Sequence, residues 1–474
     1  MKYLATIGLE IHCSVKSNTK MFSPSKNGYN ELPNTNVNEI DLAFPGVLPQ
    51  VNMEGVRKAI KMALALNCDV PKYFVFDRKN YYYPDLPKGF QITQNDYPVG
   101  TNGYVNVYVN GEEKQIKIHD IHLEEDTASL DHYETYSLID YNRCGVPLLE
   151  TVTEPCIHSG DEALAFLDAL KKIFIYCNVS DARTELGQMR VDVNISLAPE
   201  NAKELGTKVE IKNVGSFANV KEAIDYEIER QTKILNEGGT LIQETRRFDE
   251  KTRTTIHMRQ KIEAVDYKYF REPNIPPFLI TEELKDGIKK TLPVLQFDRL
   301  KKYYDEYKLP ELDATTIVKE MENANYYEKI VEAGANPISA ANWMTGNILS
   351  TLNRNNITID EFIVSPENIA ELIKLIETNE ISSKQGKQVF EKMLENNEKP
   401  SKIVKDLGMT QITDENILRP MIIELIENNM ETVEEYKKGR SVFNFFVGQV
   451  MKQTKGMANP GVVAKIFKEE VEKR

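Results

Sequence analysis

The sequence predicts an α+β fold, with a mostly antiparallel sheet in its first part and helices alone in its second. Three observations carry this. Short runs of alternating apolar and polar residues punctuate the chain up to about residue 290, as in GYVNVYVNG (103–111), KQIKIHDIHLEE (114–125), MRVDVNISL (189–197) and TKVEIKNV (207–214). Asn110-Gly111 joins the first two as a two-residue hairpin turn, a pair that tolerates positive φ. From about residue 293 almost only helical periodicity remains, as in NPISAANWMTGNILSTLN and SPENIAELIKLIETN.

The first strand, IGLEIH (7–12), places Ile7, Leu9 and Ile11 on a core face and Gly8, Glu10 and His12 on the other. Helical patterns at 53–67, 159–178 and 216–239 interrupt the strands. The second opens on Ser159 with Glu162 three residues on, a capping pair, and the third stops at Gly238-Gly239. Pro366 sits just inside its helix, where a missing N–H is harmless. Ser382-Ser383-Lys384 reads as a helix cap, not as a Ser-Lys nucleophile. Shifts in pattern divide the chain into 1–292, 293–405 and 406–474.

A chain of 474 residues exceeds what one core serves, and 41% hydrophobic with 28% charged residues is an ordinary globular balance. The start, MKYLATIGLEIH, has no basic region followed by a long apolar run, and no apolar stretch approaches a membrane span. Five scattered cysteines without C-x-x-C read as reduced thiols of a cytoplasmic protein. A net charge of −13 argues against indiscriminate coating of nucleic acid. Residues 437–474 run the other way, with nine Lys and Arg against three Glu.

Several strands set an apolar face against one of carboxylates, amides and bases. Arg190, Asp192, Asn194 and Ser196 alternate with Val191, Val193 and Ile195; Lys208, Glu210 and Lys212 alternate with Val209 and Ile211. Asp120, His122 and Glu124 alternate with Ile121, Leu123 and Glu125, while Glu150 and Glu154 lie near a further strand. Carboxylates converging from different strands are costly unless a cation neutralises them. Mg²⁺ takes a few carboxylates together with substrate phosphates. Arg190, Lys208, Lys212 and Lys79 are placed to hold a transferring phosphate. His12 is either a ligand that tilts the site towards Mn²⁺ or a group behind the ligands. The plain alternative is a solvated, ion-paired sheet face. There is no G-x-x-x-x-G-K-[ST] phosphate loop, and no cysteine or serine carries a nucleophile signature.

These strings, with KMFSPS, PNTNVNEIDLAFPGVLP, FDRKNYYYPDLPKGFQITQ, HLEED, GVPLLETVTEP, QETRRFDE, ISSKQGKQVF and VGQVMKQTKGMANP, run from end to end of the chain. Together they closely resemble the B-subunit family of the tRNA-dependent amidotransferases, the GatCAB enzymes. The resemblance implies a cradle domain similar in fold to glutamine synthetase (1–292), a helical domain (293–405) and a small tRNA-binding tail domain (406–474). It implies ATP-dependent amidation of misacylated Glu-tRNA(Gln) or Asp-tRNA(Asn). The side-chain carboxylate is phosphorylated, then aminated by ammonia from an amidase-type glutaminase A subunit, with a small C subunit completing a heterotrimer. A non-catalytic tRNA-binding scaffold is the alternative.

Carried over residue by residue, the resemblance assigns metal and ATP binding to Glu10, His12, Glu124, Glu150, Asp192 and Glu210, with Mg²⁺ or Mn²⁺ as the ion. Glu125, with Lys79 and Lys88, falls to the ammonia route or to proton removal, and Arg190 and Lys208 to phosphate contact. Lys452, Lys455, Asn459 and Lys465 would meet tRNA, unless the tail is an amphipathic packing helix. No zinc is expected, because KMFSPS stands where some members have paired cysteines. RCGVPLLE, KNVGSF (with Gly215) and DYKYFREPN depart from the family pattern.

Overall fold

The computed structural model describes residues 2–473 apart from 29–30, 213, 261–265, 410–413, 438–442 and 455–456. Its strands, in chain order, are β1 (Tyr3–Ser14), β2 (Tyr73–Phe74), β3 (Asp77–Asn80), β4 (Phe90–Thr93), β5 (Gly100–Val109), β6 (Glu112–Glu125), β7 (Ser129–His132) and β8 (Ser137–Asp140). There follow β9 (Pro147–Thr153), β10 (Met189–Pro199), β11 (Val209–Lys212), β12 (Glu244–Asp249), β13 (Thr254–Gln260), β14 (Phe270–Arg271) and β15 (Phe278–Leu279). Four helices interleave with them: α1 (Met53–Ala65), α2 (Gly160–Tyr176), α3 (Phe217–Asn236) and α4 (Glu282–Lys289). The chain divides into two compact units, residues 1–298 and 299–474.

The first unit is mixed α/β. Eight strands form its large sheet in the order β13-β12-β11-β10-β1-β9-β6-β5. Every pairing in it is antiparallel except β11 with β12. The β5–β6 hairpin turns at Asn110 (φ 52°) and Gly111 (φ 83°), as the residue pair demands. Alternation in β1 is realised in full: Ile7, Leu9 and Ile11 are wholly buried, and Glu10 and His12 lie on the partly open face.

One face of the sheet is apolar and packs against helices. Ile7, Leu9, Ile11, Val193, Ile195, Val209 and Ile211 form one core with Val56 and Ile60 of α1, Phe166 and Leu170 of α2, and Val220 and Ile224 of α3. Caps fix the helix starts. Asn52 accepts from Glu54 and Gly55 at α1, Ser159 from Glu162 at α2, and Ser216 from Asn219 at α3. The eight residues of α4, absent from the sequence expectation, are too few for periodicity to register. A small sheet, β14-β3-β4, stands at the end of β6.

The second unit has helices and no strand among its described residues. It holds two apolar clusters, one around Tyr303, Tyr327, Met344 and Phe390, the other around Leu418, Ile422, Phe446 and Phe467. Ser382 and Gln385 form a reciprocal capping box at the start of the helix Ser383–Asn396, so the Ser-Lys triplet is structural. Among the described residues no helix is long and apolar enough to cross a membrane.

Candidate active site

The face of the sheet turned away from the helices gathers its polar residues in cross-strand rows. Register sets His122 of β6 opposite Glu150 of β9, Glu150 opposite His12 of β1, and His12 opposite Arg190 of β10. A neighbouring row places Glu10 opposite Asp192. In a third, Asn194 of β10 lies opposite Glu210 of β11, and Glu210 opposite Thr245 of β12. Directly opposed side chains on one face stand about 5 Å apart. The alternation that buries the isoleucines therefore delivers the charges to one place.

His12 Nε2 lies 3.2 Å from Glu150 Oε2 and 3.6 Å from Glu124 Oε1. One donor atom from each of His12, Glu124 and Glu150 falls within 4.8 Å of the others, the spacing a single cation needs. Each acid is held by a neighbour. Asn194 Nδ2 donates to Glu10 (2.8 Å), Thr245 Oγ1 to Glu210 (2.8 Å), Thr93 Oγ1 to Glu124 (3.4 Å), and His122 Nε2 sits 3.0 Å from Glu150. Lys212 Nζ pairs with Asp192 (2.8 Å) and Glu210 (3.3 Å), and Arg190 pairs with Asp126 (3.0 Å). The cavity above this face, about 340 Å³, is lined by His12, Lys79, Glu124, Arg190, Asp192 and Lys212 among others.

Burial would push the His12 imidazolium down, but the carboxylates of Glu150 and Glu124 reverse this and lift it to about 9. Burial and then the charge of Glu150 push Glu124 up. Glu150 is held well below the carboxylate range: burial opposes its charge, but His122 and His12 outweigh burial. Lys79 is half-buried, and against the cost of desolvation Glu124, Tyr269 and Glu150 keep its ammonium favoured; its Nζ stands 4.9 Å from the Tyr267 ring centre. Oxygen donors and one imidazole fit a small divalent cation. The buried Asn194 Oδ1, which lacks a hydrogen-bond partner among the described residues, adds an acceptor beside Glu10 and Glu210.

Glu125, next in sequence to Glu124, points the other way. It is 3% exposed, is bonded to Lys88 and accepts from the Ile92 N–H (3.0 Å). Strands β3 and β4 make a wall between two spaces. Lys79 and Gln91 line the charged cavity; Arg78, Phe90 and Ile92 line a second one of about 180 Å³ with Phe22, Phe44, Val47 and Lys88.

Not every expected residue arrives: Glu10, Glu150 and Glu210 stand in the rows but not in the cavity lining, and Glu10, Asp192 and Glu210 lie outside the three-residue cation cluster. Lys208 stands exposed just before β11 and is not in the cavity lining. It shares parity with Glu210 and Lys212 but sits two positions further from the His12–Glu150 row, so parity alone overreached. In the second unit Lys452 and Lys465 are exposed, the latter bonded to Glu415 (2.9 Å). Asn459 is 2% exposed and caps the helix Pro460–Glu472 through Val462 N, so its side chain serves that helix and not the surface. Lys455 lies outside the described residues. Gly215 is not in the cavity lining either; a Cβ there would press on the flexible end of Glu250, 2.7 Å away, and touch Asn219 Nδ2 at 3.9 Å. Sequence reasoning did not single out Thr93, Thr245 or Asn194 as holders of the acids. For Asn194 and Thr245 the signal was strand parity, whereas Thr93 reaches Glu124 from the separate small sheet.

Residues 5–286 match the family model described as the GatB/GatE catalytic domain, and residues 325–471 match the GatB domain. The chain is 47% identical over 471 residues, 99% of each chain, to the aspartyl/glutamyl-tRNA(Asn/Gln) amidotransferase B subunit of Persephonella marina (strain DSM 14350 / EX-H1). It is 46% identical over 476 residues to the protein of the same name from Geobacillus thermodenitrificans (strain NG80-2), covering all of both chains. Over 475 residues it is 45% identical to that of Staphylococcus haemolyticus (strain JCSC1435), again over the full lengths. The chain belongs to the family of aspartyl/glutamyl-tRNA(Asn/Gln) amidotransferase B subunits.

Proposed function

We propose that this chain is the ATP-dependent amidating subunit of a cytoplasmic, glutamine-hydrolysing complex acting on misacylated Glu-tRNA(Gln), Asp-tRNA(Asn) or both. The observation that carries the reading is the convergence of His12, Glu124 and Glu150 beside Lys79, Arg190 and Lys212, in a domain that matches the GatB/GatE catalytic family. The first unit would be the cradle, similar in fold to glutamine synthetase, and residues 406–474 the tRNA-binding tail.

Two anions, a carboxylate and a triphosphate, must meet in this cavity. Bound Mg²⁺ or Mn²⁺ would supply charge neutralisation at the phosphoryl oxygens. His12, Glu124 and Glu150 would hold the ion, with Glu10, Asp192 and Glu210 further along the same face as the remaining acids of the metal and ATP site. Lys79 and Arg190, both kept cationic by neighbouring acids, orient the γ-phosphoryl group, and Lys212 holds Asp192 in place. The substrate carboxylate oxygen attacks phosphorus and ADP leaves. Ammonia then attacks the acyl carbon, phosphate departs, and the excess proton passes to a base. Lys88 and Glu125, on the far side of the β3–β4 wall, stand on the route ammonia would take from the glutaminase A subunit, with a small C subunit completing the heterotrimer. Glu124 speaks against a mere scaffold: burial and the charge of Glu150 push its carboxyl up, a strain that a cation beside it would relieve.

The test is ATP hydrolysis by the complex assembled with its partner subunits, using ammonium chloride in place of glutamine. Phosphate release is expected to require misacylated tRNA and to vanish in Glu10→Ala. A complex that binds tRNA yet turns over no ATP with either Mg²⁺ or Mn²⁺ would leave the scaffold reading standing.

A further inference from the structure

Glu150 is the most heavily contested side chain of the charged face. Its Oε2 is approached by two imidazoles at once, His12 Nε2 at 3.2 Å and His122 Nε2 at 3.0 Å. The two rings flank it because register places all three on one row across β6, β9 and β1. Their situations differ. His12 has its other contact to Glu124, itself a member of the three-residue cation cluster, whereas His122 is outside that cluster. The Nδ1 of His122 lies 2.7 Å from Asp120 Oδ1, two residues back on β6. Both ring nitrogens of His122 thus face carboxylate oxygens, so neither offers a lone pair to a cation. Its side chain is only 12% exposed, and the Asp120 side chain 18%, so the ring is gripped from both ends in a closed setting.

A cation at the cluster takes the Nε2 lone pair of His12, and a nitrogen that ligates cannot also donate to Glu150. Of the two imidazoles, His122 alone then remains to hold Glu150. We propose that Asp120 and His122 are positioning residues for the metal site: an Asp120–His122–Glu150 chain that fixes the Glu150 carboxylate in ligating orientation. Groups behind a ligand of this kind typically change metal affinity by about 10- to 100-fold when removed. The same strand carries a control. His119, beside the register shift between Ile118 and Asp120, is 63% exposed and bonded to Glu154; it reaches Asp120 Oδ2 only at 3.9 Å and from the solvent side, so it holds neither Glu150 nor the ring of His122.

The inference rests on the metal-site reading of the preceding section, and the experiment separates the two. Mn²⁺ binding to the assembled complex is titrated by electron paramagnetic resonance, without ATP or tRNA. If the unaltered complex binds no Mn²⁺ specifically, the site reading itself fails. If it binds, His122→Ala is expected to weaken the site about 10- to 100-fold. His122→Gln keeps a side-chain N–H to donate to Glu150, so it is expected to stay within about threefold of the unaltered complex. Asp120→Ala is expected to weaken binding by about tenfold, and Asp120→Asn, whose amide oxygen still accepts from Nδ1–H, to restore most of it. Unaltered Mn²⁺ affinity in both alanine variants would overturn the proposal. So would equal loss in His122→Gln and His122→Ala, which would make the ring a ligand. Should His122→Ala fail to assemble, the Asp120 pair carries the test, because it leaves the ring in place.

Discussion

The two cavities on either side of the β3–β4 wall are built from the same strands and differ in how densely they are charged. On one side Lys79 and Gln91 look onto carboxylates and an imidazole; on the other Arg78, Phe90 and Ile92 look onto Phe22, Phe44 and Val47. Neighbouring residues of β6 are split between them, Glu124 to the charged side and Glu125 to the other. Alternation along a strand is enough to separate an ionic chamber from a largely apolar one by the thickness of a sheet. The ionic side suits phosphate and metal. The other side, lined by phenylalanines and aliphatic residues with the Lys88–Glu125 and Arg78–Glu272 pairs beside them, is the one the proposed ammonia route would use.

The sharpest way to break this comparison is to remove an acid from the ionic side. Glu124→Ala is expected to lower amidation by about 10³-fold with either glutamine or ammonium as donor, since it takes charge stabilisation from the reacting centre itself. Equal activity would mean the cavity is not where phosphorylation occurs.

Removing the neighbouring acid should separate the two donors. Glu125→Gln keeps the shape and loses the charge that meets Lys88. Glutamine-driven amidation is expected to fall by about 10²-fold, the usual scale for a lost proton acceptor. Ammonium-driven amidation should recover at a pH high enough to supply neutral ammonia. A parallel loss with both donors at high pH would place Glu125 in the chemistry of the first cavity.

How far the sequence disclosed these chambers follows from the range of its signals. Alternation placed Glu10, His12, Arg190, Asp192 and Glu210 on one face, because a period of two is a local property. The Asn110-Gly111 turn and the caps at Ser159 and Ser382 were legible for the same reason. The wall was not. Strands β3 and β4 have four residues each, and nothing in them announces that they stack at the end of β6. Lys208 was misplaced because parity says which face a residue takes but not how far along the sheet it lies. Asn459 reads as a surface amide until the helix it caps is seen. The role of His122 depends on three strands in register, which no local pattern encodes.

Behind the second cavity the chain is held by a buried ion pair. Lys20 is wholly buried, pairs with Asp41 at 3.3 Å and donates to the Tyr141 carbonyl at 3.2 Å; Ser23 completes the cluster by donating to Asp41 at 2.6 Å. Lys20→Met would leave the buried Asp41 carboxyl with one donor fewer, the Ser23 hydroxyl and the Asn38 N–H remaining. A loss of about 3 kcal/mol in unfolding free energy is expected from urea titration of the full chain, the scale for breaking a buried pair from one side. No change would mean the cluster is open to water and the pair is of little account.

The smallest effect belongs to Arg78 and Glu272, the other ion pair of the apolar side. Arg78 Nη2 donates to Glu272 at 3.2 Å with Nε on the second oxygen, and the guanidinium carbon stands 4.0 Å from the Phe90 ring centre. Burial pushes the Glu272 carboxyl up, but Arg78 and the Asn274 N–H outweigh burial and leave it below the usual glutamate range. A carboxyl depressed on folding contributes stability that is fully present above its unfolded pKa and is lost as pH falls through the folded value. Glu272→Gln is therefore expected to be less stable than the unaltered chain at neutral pH, with the gap closing as acid protonates the glutamate. Parallel stability curves down through that window would mean Arg78 is held by stacking on Phe90 alone. The apolar chamber would then need no charge in this part of its wall, and its contrast with the ionic one would be sharper still.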